Sequence, residues 1–129
     1  MQYTKLTPNL VVNDVARSVA FYRDQLGMQM GMSVPDQPPY VFASVVHGPI
    51  EIFFNAREAV AEDFPQMLAH GIGGAMTLYL EVDDVDRLYR DLSAKGVKIV
   101  MEPKTQFYGM REFMIADPDG WLLMFAQRV

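Results

Sequence analysis

Cysteine is absent from the 129 residues. That excludes disulfides, thiolate nucleophiles and cysteine-based zinc or iron–sulfur centres. No apolar run approaches the length that spans a bilayer, so no membrane segment is expected. The opening MQYTKLTPNL has neither a charged n-region nor an apolar h-region, so it does not read as a signal peptide, and the cytoplasm is the expected location. Basic residues are few and scattered: eleven Lys and Arg stand against sixteen Asp and Glu, a formal charge of -5. A chain with no basic stripe is not expected to bind nucleic acid, whereas mild acidity favours a cationic ligand or is ordinary solvated surface. Histidine is limited to His47, at an expected strand end, and His70, in an expected linker. Both are read as exposed or hydrogen-bonding residues rather than metal ligands.

Half the residues are hydrophobic, with one Trp, six Tyr and eight Phe. A chain of this length buries roughly two thirds of its unfolded surface without staples. The segments NLVVNDVARSVAFYRDQLGMQM and TLYLEVDDVDRLYRDLSAKGVKIV share a pattern. Leu10, Val12, Asp14, Val15 and Arg17 recur as Leu80, Val82, Asp84, Val85 and Arg87, which implies an internal duplication.

Each copy opens with period-two alternation, over 7–12 and 77–82. This sets Thr7, Asn9 and Val11 opposite Leu10 and Val12, and Thr77, Tyr79 and Glu81 opposite Leu78, Leu80 and Val82. A helix follows each strand. Asp14 and Asp84 are placed as N-caps; Val15, Val19, Tyr22 and Leu26 form one apolar stripe, and Val85, Leu88, Tyr89 and Leu92 the other. Gly27 and Gly96 are placed to end the helices. Further strands are expected near 28–34, 40–47 and 49–55, and near 97–101, 110–116 and 121–127. Met28, Met30 and Met32 alternate and are expected on one face, as an adaptable wall or a subunit contact. The stretch AREAVAEDFPQMLAHGIGG reads as a linker with a short helix. The expected fold is therefore α+β: two tandem βαβββ modules, 1–56 and 75–129, joined by linker 57–74 in a single domain over 1–129, forming a curved mixed-sheet cup.

LVVNDVARSVAFYRDQLGM and YGMREFMIADPDGWLLMF resemble the opening and closing signatures of the vicinal oxygen chelate superfamily. This group holds glyoxalase I, extradiol dioxygenases, methylmalonyl-CoA epimerase, glutathione-dependent fosfomycin resistance enzymes and bleomycin resistance proteins. The closing segment is most similar to the bleomycin-resistance-like branch. The resemblance implies four positions where metal-dependent members carry ligands, and here they hold Thr7, Glu51, Thr77 and Met124. Two hydroxyls, one carboxylate and a thioether do not make a site for a hard or borderline divalent ion. No metal and no cofactor are therefore expected.

The candidate ligand-binding residues are Thr7, Asn9, Glu51, Phe53, Thr77, Tyr79, Glu81, Trp121, Leu122 and Met124. They offer aromatic planes, a thioether, hydroxyls and carboxylates to a flat or extended organic molecule with a polar or cationic group. Other roles are open to several of them. Tyr79 and Phe53 can fill the core, Met124 can be packing, Trp121 can cover a dimer seam, and Glu51 can pair with an arginine such as Arg111 or with water. The leading reading is a non-catalytic small-molecule binding or sequestration protein of the bleomycin-resistance type, a homodimer as the resemblance implies. The alternative is a lyase, isomerase or dioxygenase of the same superfamily, with a displaced metal site or Glu51 as general base.

Overall fold

The structure, a computed structural model, describes residues 1–129. The chain divides into two units, Met1–Gly71 and Ile72–Val129. Unit one contains β1 (Asn9–Val12), α1 (Val15–Asp24), β2 (Gln29–Val34), β3 (Phe42–His47), β4 (Ile50–Ala56) and α2 (Arg57–Asp63), then a 3-10 turn over Pro65–Leu68. Unit two contains β5 (Thr77–Glu81), α3 (Val85–Ala94), β6 (Ile99–Thr105), β7 (Met110–Ala116) and β8 (Leu122–Arg128). Each unit is one four-stranded mixed sheet, in the orders β1-β4-β3-β2 and β5-β8-β7-β6. In each, the first strand runs parallel to the last and the other pairs are antiparallel. These are two tandem βαβββ modules.

The repeated sequence features act in the same way in both units. Asp14 accepts from the Arg17 amide at 3.1 Å, and Asp84 from the Arg87 amide at 3.0 Å. Each carboxylate thus satisfies an amide that has no partner within its helix. Gly27 and Gly96 close the helices with φ of 73° and 77°, a conformation that is strained for any residue with a Cβ.

Strand parity then decides what is covered. In unit one, Leu10, Val12, Val45, Ile52 and Phe54 are buried together with Val15, Val19 and Tyr22 of α1. The Tyr22 and Phe54 rings lie 4.9 Å apart. In unit two, Leu78, Phe113, Ile115, Leu123 and Phe125 are buried with Val85 and Leu92 of α3. Tyr89 meets Phe113 edge-on at 5.6 Å, and Phe113 stacks on Phe125 at 5.2 Å. Each such side chain contributes about 1.5–3 kcal/mol by leaving water. The opposite face of each sheet, the one turned from its helix, is left to carry other chemistry.

Three expectations are corrected. β1 begins at Asn9, not at 7. Pro8 has no N–H to give a ladder, although its carbonyl accepts from the Phe53 amide at 2.9 Å, so Thr7 lies ahead of the strand. The three methionines do not share a face. Met30 pairs with Val45 while Ser33 pairs with Ala43, and this one-residue bulge reverses side-chain parity between Met30 and Met32. β6 runs on to Thr105, past Pro103. It is an edge strand, where a residue without an N–H is tolerated. His47 ends β3 and His70 follows the 3-10 turn, both exposed. No helix is long and apolar enough to cross a membrane.

Candidate functional site

In unit one, the face turned from α1 carries Asn9 of β1 with Glu51, Phe53 and Asn55 of β4. Asn9 stands opposite Phe53 in the parallel register. Asn55 donates its side-chain amide to Asn9 Oδ1, and Phe53 meets Phe42 edge-on at 5.1 Å. Glu51 is ion-paired with Lys5 of the N-terminal segment. Lys5 is thus the partner of Glu51, and the expected alternative partner, Arg111, is engaged elsewhere. Its Nε donates to Asp86 of α3 at 3.0 Å, and its Nη1 to Thr105 Oγ1 at 3.1 Å.

In unit two, the corresponding face is continuous across three strands. The β5–β8 register sets Thr77, Tyr79 and Glu81 against Leu122, Met124 and Ala126. The β7–β8 register adds Glu112 opposite Ala126, Met114 opposite Met124 and Ala116 opposite Leu122. Thr77 and Glu81 are exposed, while Leu122 and Met124 are half-buried. Trp121 is half-buried and stands just before β8. It is fixed by the preceding turn: Asp117 Oδ1 accepts from the Asp119 and Trp121 amides, both at 2.9 Å, and the Trp121 carbonyl accepts from the Asp117 amide at 2.9 Å.

The centre of this face is a residue that the sequence reading did not single out. Glu112 is only 2% exposed. Tyr79 Oη donates to its Oε2 at 2.5 Å, and Tyr108 Oη to its Oε1 at 2.6 Å. These lengths belong to charge-assisted O–H···O⁻ bonds. Because the carboxylate accepts from both phenols and adds its negative charge, it favours their protonated forms, and burial acts in the same direction. Tyr79 is pushed up to about 12, and Tyr108 is raised for the same reasons. Lys104 stands opposite Glu112 in the β6–β7 register but is exposed and makes no ion pair with it.

Tyr79 and Tyr108 each remain half exposed as residues, and Phe107, next to Tyr108 in the turn before β7, is 98% exposed. The Phe107 and Tyr108 rings meet edge-on at 5.1 Å. The signal for Glu112 was present in MREFMIA, where alternation sets Met110, Glu112 and Met114 against Arg111, Phe113 and Ile115.

The donor chemistry does not fit a divalent metal in either unit. Thr7 lies off the ladder, Glu51 holds an ammonium, and Thr77 shares its face with the thioether of Met124. No three His, Asp or Glu side chains are grouped to hold an ion.

Known proteins place this fold and sequence together. The family model described as Glyoxalase/Bleomycin resistance protein/Dioxygenase superfamily matches residues 4–125. The chain is 32% identical over 118 residues to the uncharacterized protein YraH of Bacillus subtilis, covering 88% of this chain and 90% of that one. It is 26% identical over 131 residues to a bleomycin resistance protein of Geobacillus stearothermophilus, covering 95% of each. A glyoxalase/bleomycin resistance protein/dioxygenase from Nocardioides superposes with a TM-score of 0.82 at 20% identity, over 100% of this chain and 85% of that one. With its two βαβββ modules and a family match over nearly its whole length, the chain belongs to the glyoxalase/bleomycin resistance protein/dioxygenase superfamily, the vicinal oxygen chelate proteins.

Proposed function

We propose that this protein binds and sequesters a small organic molecule without transforming it, as a cytoplasmic homodimer of the bleomycin-resistance type. The observation that carries this reading is the donor set. The positions implied for metal ligands hold Thr7, Thr77 and Met124, and Glu51 is tied to Lys5. A thioether and two hydroxyls do not hold or activate a Lewis-acidic metal. The face of unit two instead combines half-exposed aromatic residues, Met114, Met124 and Leu122 with few polar groups, which is the composition of a binding surface for a flat apolar body.

Relatives that are 26% identical and named bleomycin resistance proteins make bleomycin the first ligand to try. The test is calorimetric titration of the protein with bleomycin, followed by recovery of the ligand and measurement of its mass. The reading expects saturable binding, up to one ligand per chain, and a ligand recovered with unchanged mass. A product of altered mass that accumulates beyond one equivalent would show turnover and overturn it.

A further inference from the structure

The geometry points to a recognition site for an organic ammonium group, built by Glu112, Tyr79 and Tyr108 within unit two. The inference rests on the binding reading above and names the chemistry of what is bound. Its first support is charge. A carboxylate this deeply buried is ordinarily paired with a cation, because taking an uncompensated charge out of water is costly. Glu112 is instead held by two phenol donors, and the nearest register partner, Lys104, does not pair with it. Both oxygens already accept from a phenol and the residue is almost wholly buried, so the carboxylate acts on a cation at the half-exposed tyrosines through its charge rather than by direct contact.

The second support is the lining. Tyr79 and Tyr108 reach Glu112 with their hydroxyls while half of each residue stays exposed, and Phe107 is packed edge-on against Tyr108. Ring faces attract an ammonium through their quadrupole, most strongly where water is partly excluded. Glu81, two residues beyond Tyr79 on the same face, is exposed and makes no ion pair, so it adds negative potential at the edge. Acidic and aromatic groups converge here without an imidazole or a second buried carboxylate. That combination suits an ammonium group attached to an aromatic body and does not suit a divalent metal, which needs several oxygen or nitrogen ligands.

The experiment uses three naphthalene probes of similar size: 2-naphthylmethylammonium, neutral 2-naphthylmethanol and anionic 2-naphthoate. Each is titrated into the full-length protein and followed by NMR, reading the resonances of Tyr79, Tyr108 and their neighbours. The expected result is cation binding about tenfold tighter than the neutral probe, with shifts centred on the two tyrosines. Glu112→Gln is expected to lower cation affinity about tenfold and to leave the neutral probe within about twofold. Tyr108→Leu, at a half-exposed turn position, removes a ring face and is expected to weaken the cation about fivefold; it decides the matter if Glu112→Gln does not fold. Equal binding of cation and neutral probe, or equal losses for both in the variants, would overturn the inference and leave the binding reading standing. Absence of shifts with all three probes would also overturn it, and the binding reading would then depend on the bleomycin titration alone.

Discussion

Tyr79 on β5 and Glu112 on β7 are joined by a 2.5 Å hydrogen bond that passes over β8, the strand between them. Ala126, fully buried, stands opposite Glu112 in the register and also opposite Glu81. A methyl group at that position leaves room for the phenol to cross. Ala126→Leu is expected to push Tyr79 off Glu112 and to destabilise the protein by about 1–3 kcal/mol through overpacking. Chemical denaturation measures the loss, and return of the Tyr79 titration toward the ordinary phenol range reports the broken bond.

The same bond makes stability depend on pH in the alkaline range. Tyr79 titrates at about 12 in the folded protein against an ordinary 10.0. A raised phenol means that folding favours the protonated form. The contribution is therefore fully present below about pH 10 and is lost as pH rises through 10 toward 12. Thermal unfolding of the wild type is expected to fall more steeply over that window than unfolding of Tyr79→Phe. Phenolate absorbance is expected to show late-titrating tyrosines that the variant and Glu112→Ala both reduce.

Removing the acceptor is expected to cost more than removing one donor. Glu112→Ala leaves two phenols to find water, an expected loss of about 1–2 kcal/mol. Tyr108→Phe, at a half-exposed residue, keeps the Tyr79 bond to Glu112 and is expected to lose less. Paired denaturation curves at neutral pH compare the two.

In unit one, the Lys5–Glu51 pair is expected to contribute little to stability. The lysine side chain is 54% exposed, so solvent screening and side-chain entropy offset most of the attraction, leaving about 0–1 kcal/mol. A double-mutant cycle with Lys5→Met and Glu51→Gln measures it, and the coupling is expected to shrink further at high salt.

The parts of the fold that were legible in the sequence are those set by local periodicity. The seventy-residue repeat placed both strand–helix units, and the carboxylates of Asp14 and Asp84 marked the helix starts that the structure shows. Corrections arise where a single residue changes register. Pro8 moves Thr7 off the ladder, and the bulge between Met30 and Ser33 turns Met32 away from Met30. Pro103 is harmless because its strand lies at the sheet edge, which no local pattern discloses.

The site was only partly legible for a related reason. Tyr79, Glu81, Leu122 and Met124 follow from alternation in two strands, and the structure brings them onto one face. Glu112 needed the register of a third strand in which both parities carry apolar residues. Tyr108 needed a turn that carries its hydroxyl back to a residue four positions later. Glu51 follows from alternation in β4, while its partner Lys5 lies in a segment without periodicity, so the pair is not legible.

The central claim, a binding face in place of a metal centre, is tested most directly by native mass spectrometry of protein purified without added metal and then incubated with zinc, nickel or manganese. The predicted result is a dimer whose mass does not change on incubation, with or without a co-purified organic adduct. One tightly held metal ion per chain would contradict the account of Thr7, Glu51, Thr77 and Met124, and would return the protein to the metal-dependent side of its superfamily.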